Sequence, residues 1–518
     1  MRHRSSAVTY VCAIAVMMTA ATSAQSTAPQ TQPPPQVRRL SVDEAVRTAL
    51  ESNLGVQVAR VDPLIEDLSV AVARSAWSPT FNTTVQTTSA DTPNNSFLSG
   101  ALGSKTSDAR VSTNAGVTQV LPWGGDYSIG WDGVRSTTTN LFSNFSPQLR
   151  SSLALSYRQP LLRGFSIDAT RQQVLVSQKN REIADVTLRQ AITTTSRSVR
   201  NAYWDLAYAI VSLTVQRQSL ELAETSLRNT RARVEIGTTP PIDIVESEAE
   251  VATREEAVII AAAQIETAQD TLRALVYDPS MPDFWTIRIE PTELPPFQAA
   301  PVDVNMATRT ALDRRTDLQQ TRKSLEATDV SMRFFRNQAL PDVTASFDYG
   351  LTGLGGTQFV RGAGFPGPII GESVRGFGSV LRDLFNNDFP SWTAALNVSY
   401  PLGRSQPEAS LSRARLQYTQ GQTRLRNQEL QVVTQVREAG RQVQTNQRRV
   451  ETTRTSRQLA ERRLDAEERK FAAGTTTTFF VFQAQRDLAQ ARNNEVRAVL
   501  DYNRSIVDFE SVQEAPLR

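Results

Sequence analysis

The sequence predicts a mainly α-helical protein with β-strands, in which long antiparallel coiled-coil helices are joined to strands that cross a membrane. Three observations predict this fold class. The chain contains two copies of one unit, and each copy carries apolar residues in a seven-residue repeat over long stretches without proline. Between the helices of each copy lie segments that alternate apolar and polar residues, as strands with one apolar face do.

The first 24 residues are expected to be a secretory signal peptide. Arg2 and Arg4 precede an apolar stretch at 7–21, and Thr22, Ser23 and Ala24 supply small residues for cleavage. A retained anchor is the alternative, but the apolar run is shorter than the ~20 residues of a spanning helix. A linker rich in proline and glutamine is predicted at 25–40.

Loss of that segment would remove chemistry that many enzymes need. His3 and Cys12 are the only histidine and cysteine in the chain. The mature protein is therefore expected to lack Cys/His metal sites, Ser-His-Asp triads, thiol nucleophiles and disulfides. Carboxylate chemistry would remain, but the acids are scattered along helical faces, so we expect no enzyme, no catalytic residue, no metal and no cofactor. Lys and Arg (56) nearly balance Asp and Glu (53) without a basic cluster, so nucleic acid is not an expected partner.

The internal repeat organises the rest of the chain. Residues 45–50 (AVRTAL) recur as 307–312 (ATRTAL), and Pro79 recurs as Pro341 at the same spacing. We predict repeat 1 at 41–278, a proline-rich linker at 279–301, repeat 2 at 302–511 and a tail at 512–518. The predicted helices are 41–76, 166–236 and 241–277 in repeat 1, and 303–338, 405–473 and 477–510 in repeat 2.

The second helix of each copy is unusually long. About 70 residues at 1.5 Å each correspond to roughly 105 Å. Its heptads carry an aliphatic residue beside a small or polar one, as with Leu206 and Ala209, or Val443 and Asn446. A bundle core is normally apolar at both positions. The pattern favours a wall of helices with one wet face, and an ordinary coiled coil with a weak seam is the alternative.

The predicted strand regions are 80–158 and 342–400. Apolar residues alternate with small polar ones, and aromatic residues stand where a membrane girdle would be, at Tyr157, Tyr349, Trp392 and Tyr400. Four equivalent strands cannot close a barrel, so we expect a transmembrane β-barrel shared between subunits, with twelve strands in a trimer. A soluble β-sandwich is the alternative. An extra hairpin near 110–138 could belong to the barrel or to an external loop.

Several short motifs occur in the same order in both copies. They are the two AxRTAL openings, the prolines at 79 and 341, QPLLRG at 159–164 and YPLG at 400–403, and the Gly-Thr-Thr sequences at 237 and 474. The sequence AYWDL at 202–206, in the first copy, adds to them. In these features the chain resembles the TolC-like outer membrane efflux protein family over essentially its whole mature length.

The resemblance implies a homotrimer in the outer membrane, in contact with lipid, whose helical barrel extends into the periplasm. Such proteins are passive exit ducts of tripartite efflux pumps or type I secretion systems. A periplasmic membrane-fusion adaptor protein connects them to an inner-membrane transporter of the RND, ABC or MFS class. The alternative function is a periplasmic coiled-coil spacer without a channel.

The resemblance also implies two kinds of functional residue. Adaptor docking maps to the helix tips, Ile236, Gly237, Thr238 and Thr239, and Ala473, Gly474, Thr475 and Thr476. The family often has an aspartate ring at its periplasmic aperture, but Phe480 and Gln483 occupy those positions here. We therefore expect the aperture at Phe479, Phe480, Phe482 and Gln483, with Asp243 and Glu246 nearby. Simple helix termination at the glycines, and packing of the phenylalanines between helices, are the alternatives.

Overall fold

A computed structural model describes residues 37–96, 100, 103–293, 297–299, 301–364, 366–402 and 405–514. The predicted signal peptide at 1–24, most of the linker at 25–40 and the end of the tail at 512–518 lie outside these residues. The described part of the chain is mainly helical, with one large sheet and one small one, as the sequence predicts. No helix in this part is both long and apolar enough to span a bilayer.

The helices are α1 (Val42–Ser52), α2 (Leu54–Ser75), α3 (Ala169–Glu235), α4 (Ile242–Val276), α5 (Val304–Arg314), α6 (Thr316–Gln338), α7 (Phe377–Phe385), α8 (Gln406–Ala472) and α9 (Thr478–Gln513). The strands are β1 (Val37–Leu40), β2 (Thr80–Pro93), β3 (Lys105–Val120), β4 (Asp126–Thr138), β5 (Phe145–Pro160), β6 (Arg288–Pro291), β7 (Asp342–Arg361), β8 (Ile369–Arg375) and β9 (Pro390–Ser399).

Two helical hairpins, α3/α4 and α8/α9, make up the long axis of the molecule. α3 and α8 have 67 residues each, which corresponds to about 100 Å. Each begins at a capping side chain, because Asp168 accepts from the N–H of Arg171 and Ser405 forms a capping box with Glu408. Nearer the sheet, α2, α3, α6 and α8 lie side by side in that order.

The helices predicted at 41–76 and 303–338 are each broken in two. The first breaks at Asn53, whose side chain accepts from the N–H groups of Gly55 and Val56 and so starts α2. Its amide also donates to the carbonyl of Leu275 at 3.0 Å. The second breaks at Arg315, which forms an ion pair with Asp317 at 2.6 Å. Side-chain bonding to nearby backbone competes with helix continuation, and periodicity alone does not reveal it.

The large sheet is antiparallel and runs in the order β2-β3-β4-β5-β7. Both β9 and β8 then pair with β7, β9 along its first half and β8 along its second half. The extra hairpin is β3/β4, and it lies within this sheet between β2 and β5. The described sheet therefore has six long strand positions where the sequence-based expectation was four. A small parallel sheet of β1 and β6 lies beside the helices.

The short helix α7 folds back onto the sheet. It lies over a row of small residues, Gly133, Ser151 and Gly353, which are paired neighbours on β4, β5 and β7. Val380 of α7 is fully buried there, and a Cβ added to Gly353 would lie 2.3 Å from its carbonyl oxygen. Small side chains in this row make room for the helix.

The largest core cluster lies where α1, α3 and α4 meet β6. Tyr203, Leu206 and Leu272 are fully buried in it, and the Tyr203 hydroxyl donates to the carbonyl of Leu40 at 3.0 Å. This cluster holds α1, α3 and α4 together about halfway along α3. Smaller clusters lie between α8 and α9.

An ion-pair network joins α3 to α6 nearer the sheet. Lys179 binds Glu182 at 3.0 Å and Glu326 at 2.8 Å, and Lys323 binds Glu182 at 2.7 Å. The hydrogen bond from Lys323 lowers the pKa of the Glu182 carboxyl, and the one from Lys179 lowers the pKa of Glu326. The network is half-exposed, so it aligns the two helices more than it stabilises them.

Candidate functional site

The two hairpins end in turns of the same geometry. Gly237 and Gly474 have φ of 77° and 73°, a left-handed conformation that glycine adopts without strain. At the first tip, Gly237 N–H donates to Val234 and Thr238 N–H to Arg233, both at 2.9 Å. The second tip repeats this pattern with 3.1 and 3.0 Å bonds from Gly474 and Thr475. Both are Schellman-type helix ends that satisfy the last carbonyl groups.

The tips also present open surface. A Cβ added to either glycine would meet no atom within 4 Å, so the left-handed backbone, not crowding inside this chain, requires glycine. Ile236 is 73% exposed at the first tip. The other tip residues are exposed or half-buried, namely Gly237, Thr238, Thr239, Ala473, Gly474, Thr475 and Thr476. This surface is open to a partner, and adaptor docking there stays a prediction.

Two polar contacts bridge the hairpins between α4 and α9. The Thr478 hydroxyl donates to the Asp243 carboxylate at 3.1 Å. Two helical turns further on, Arg486 binds Glu250 at 3.2 Å, and Glu250 also binds Arg254 of its own helix at 2.7 Å. The Glu250 side chain is only 8% exposed, so the two arginine partners are needed to compensate the charge of this buried carboxylate.

A third contact joins α3 to α8 beside the tips. The Arg233 guanidinium lies 4.2 Å from the centre of the Phe471 ring, a cation–π distance. Together the three contacts hold the two tips close to each other. Of the predicted aperture residues, Asp243 takes part directly, while Glu246 is exposed on α4.

The phenylalanine cluster divides into two groups. Phe482 is buried within the chain, at 4% exposure, so it packs between helices as the alternative interpretation had it. Phe479 and Phe480 are 52% and 48% exposed and meet edge to face, with ring centroids 5.6 Å apart. Gln483 is half-buried. The Phe482 ring is thus packed within this chain, and an aperture at these residues stays a prediction.

The bridging residues Thr478, Glu250 and Arg486 were not found from the sequence. Glu250 and Arg254 are four residues apart on one helix, which indicates a local ion pair. Nothing in the sequence pattern indicates that Arg486, 236 residues away, completes it. Among the described residues there is also no cluster of acids that could hold a metal ion.

The residues of the predicted aromatic girdle lie on three adjacent strands, β5, β7 and β9, or directly after them. Tyr349 and Trp392 are direct partners across β7 and β9, and Trp392 is 70% exposed. Tyr400 follows the end of β9 and is also exposed. Tyr157 on β5 accepts a 3.4 Å bond from Trp123 in the β3–β4 turn, which adds an aromatic residue that the sequence analysis did not assign. A role at the membrane surface stays a prediction.

Comparison with known proteins gives one family and several similar folds. The profile of the family described as "Outer membrane efflux protein" matches residues 45–276 and 307–510, together most of the chain. No curated protein sequence matches the chain significantly.

Three solved channels illustrate the structural similarity. The CusC channel superposes with a TM-score of 0.65 at 11% identity, over 91% of both chains. The Campylobacter jejuni CmeC outer membrane channel has a TM-score of 0.63 at 15% identity, over 91% of this chain and 85% of its own. The Vibrio cholerae outer membrane protein VceC has 0.63 at 16% identity, over 92% and 97%. Identities this low establish a shared fold.

Proposed function

Because this chain belongs to the outer membrane efflux protein family, we propose that it is the exit duct of a tripartite efflux pump or a type I secretion system. It is an outer-membrane protein, and on this proposal its helices extend into the periplasm. The observation that carries the proposal is the joining of a sheet with one apolar face to two helical hairpins, each of which has one helix about 100 Å long. Such a molecule conducts cargo passively and needs no catalytic residue.

Support for self-association comes from the open edges of the single chain. Among the described residues, the sheet ends at β2 on one side and at β9 on the other, and each of these strands has one unpaired edge. Unpaired strand edges invite another strand, and the two edges of one copy are complementary to those of the next. A head-to-tail contact of this kind forms a closed ring when its rotation allows it. A homotrimer with a shared barrel is the ring that the family resemblance implies.

The helix α2, which precedes the edge strand β2, adds an exposed apolar stripe on the β2 side of the molecule. Its large apolar residues are exposed at heptad-like spacing, namely Leu54, Val58, Val61, Ile65, Leu68 and Val72, each at least 49% exposed. Exposed apolar stripes of this size mark interaction surfaces. On the opposite edge, α8 exposes Leu416 and Leu430, so α8 of a neighbouring copy is the proposed occupant.

The tips and bridges have complementary roles in the proposed duct. The bridges from Asp243 to Thr478 and from Glu250 to Arg486 hold the periplasmic aperture closed, with Phe479 and Phe480 near its rim. Adaptor helices dock on the exposed glycine tips and separate the hairpins. An inner-membrane transporter of the RND, ABC or MFS class supplies the energy, and it selects the cargo.

The decisive experiment combines extraction, mass and conductance. We expect the protein in the outer-membrane fraction, soluble only with detergent, with the mass of a trimer, and conducting ions in planar bilayers. Release without detergent, or detergent-purified particles that never conduct even after Arg486→Gln, would instead indicate a periplasmic spacer and overturn the proposal. Cross-linking the tips to a co-expressed adaptor tests docking separately.

A further inference from the structure

We infer that the β3/β4 hairpin is part of the membrane-spanning wall, so that each copy contributes six strands and a trimer forms an eighteen-stranded barrel. The inference rests on the proposed duct, because it assumes that the large sheet enters the membrane. It concerns which part of the sheet contacts lipid. The strands that the two repeats share would have formed a wall of four per copy.

The hairpin runs the full height of the sheet and ends beside the helices. Its turn, at 121–125, lies at the same end as the start of β2 and the end of β5. Gln119 at the base of β3 donates to the carbonyl of Trp77, just after α2, at 2.7 Å. Gly124 lies so close to the segment before α3 that an added Cβ would be 2.7 Å from the Gly164 carbonyl oxygen. A hairpin in an external loop would lie at the opposite end of the sheet.

Pairing along the hairpin is continuous with the strands on both sides. Every residue of β2 has a partner on β3, from Thr80 with Thr118 to Pro93 with Lys105. β4 then pairs with β5 without a register shift from Asp126 to Ser136. The hairpin therefore separates β2 from β5 along their whole paired length, and β2 cannot reach β5 while it is in place.

The apolar and polar faces continue across the hairpin in register. One row of directly paired residues crosses all six strands and is entirely apolar or aromatic, namely Phe81, Val117, Ile129, Leu155, Tyr349 and Trp392. The adjoining row on the other face is polar throughout, namely Thr80, Thr118, Ser128, Ser156, Asp348 and Thr393. Strands in a membrane barrel alternate in this way, with apolar side chains toward lipid and polar ones toward the lumen.

Between the part that α7 covers and the helical end of the sheet, the occupant of the apolar face is lipid acyl chains, the same on β3 and β4 as on β5, β7 and β9. Phe81 is 66% exposed and Ile129 44% exposed in the single chain, like Trp392 on the strand at the other edge. A hairpin folded into the lumen would place its own members of the apolar row, Val117 and Ile129, in water and leave their apolar area unburied. Continuity with the neighbouring strands therefore favours lipid over the lumen.

Six strands fit above the four helices of one copy. At ~4.8 Å spacing and ~40° tilt, six strands occupy about 38 Å of circumference. Four helices packed side by side, α2, α3, α6 and α8, occupy roughly 32–40 Å. Because barrel width grows with strand number, eighteen strands form a barrel about 1.5 times as wide as twelve. The helical barrel is wide enough to support it.

Site-directed spin labelling of the reconstituted trimer tests the inference. Cys12 is the only cysteine and lies in the predicted signal peptide, so single cysteines report one site each. Spin labels at Val117→Cys and Ile129→Cys should be more accessible to oxygen, which concentrates in lipid. Labels at Thr118→Cys and Ser128→Cys should be more accessible to an aqueous nickel chelate. Leu155→Cys and Ser156→Cys on β5 are the matched controls, and each variant must conduct in bilayers.

The outcomes separate the inference from the proposed function. Alternation between lipid-exposed and water-exposed labels at both the hairpin and β5 supports the six-strand wall and the proposed duct. Alternation at β5 with uniformly aqueous or uniformly buried labels at the hairpin overturns the six-strand wall and leaves the duct intact. Loss of alternation at β5 as well overturns the duct itself. For variants that fail to assemble, electron cryomicroscopy of the unmodified trimer decides between eighteen strands and twelve.

Discussion

Removal of the Arg486 charge should open the periplasmic aperture. Arg486→Gln deletes the ion pair between the two hairpins, yet it leaves Glu250 bound to Arg254 within α4 at 2.7 Å. The variant therefore perturbs the bridge without leaving the buried carboxylate alone. Glu250→Gln would be less informative, because it also removes the partner of Arg254.

The size of the effect follows from the exposure of the two partners. Breaking a buried ion pair costs about 3–5 kcal/mol, while an exposed pair contributes about 0–1 kcal/mol. The Glu250 side chain is 8% exposed and that of Arg486 46% exposed, so we assign about 1–2 kcal/mol to each bridge. If three copies open together, the closed state loses about 3–6 kcal/mol, or roughly 150- to 25,000-fold in the closed-to-open ratio.

The assay is single-channel conductance in planar bilayers at low salt. Arg492→Gln is the matched control, because Arg492 lies on the same helix and binds Glu461 at 3.3 Å, but within its own hairpin. We expect Arg486→Gln to raise the open fraction and Arg492→Gln to leave it unchanged. Salt near 1 M should narrow the difference in open fraction between the two variants, because the Debye length falls to ~3 Å and the ion pair that the control retains is then screened. Equal conductance of the two variants would refute the gating role of the bridge.

Three further predictions concern the fold. Gly353→Val should detach α7, because overpacking of this kind costs about 1–3 kcal/mol; trypsin should then cut within α7 faster, whereas Gly378→Ala, with open space around it, should not accelerate cleavage. Gly237→Val should lower the melting temperature through left-handed strain of about 1–2 kcal/mol, and full retention of stability would contradict that reading of the tip. The lowered pKa of Glu182 means that its contribution is present above the ordinary carboxyl pKa and lost as pH falls through the folded-state pKa. Glu182→Gln should therefore reduce the loss of melting temperature between neutral and acidic buffer, and an unchanged pH dependence would argue against it.

Local periodicity was enough to predict most of the secondary structure and the family. The heptads of α3 and α8, the glycine at each hairpin tip and the alternation in β7 and β9 are all properties of neighbouring residues. They depend on helix and strand geometry, which repeats every few residues. The predicted mainly helical fold with a sheet and the family resemblance are confirmed, while the division into repeats and linkers stays a prediction.

Contacts between distant residues decided the remainder. Alternation in β3 and β4 is the same in a barrel or in an external loop, and only their pairing with β2 and β5 places them in the sheet. The orientation of Phe482, and the bridge from Glu250 to Arg486, likewise depend on which helix faces which. Such choices follow from the packing of surfaces hundreds of residues apart, a free-energy balance that no short stretch of sequence contains.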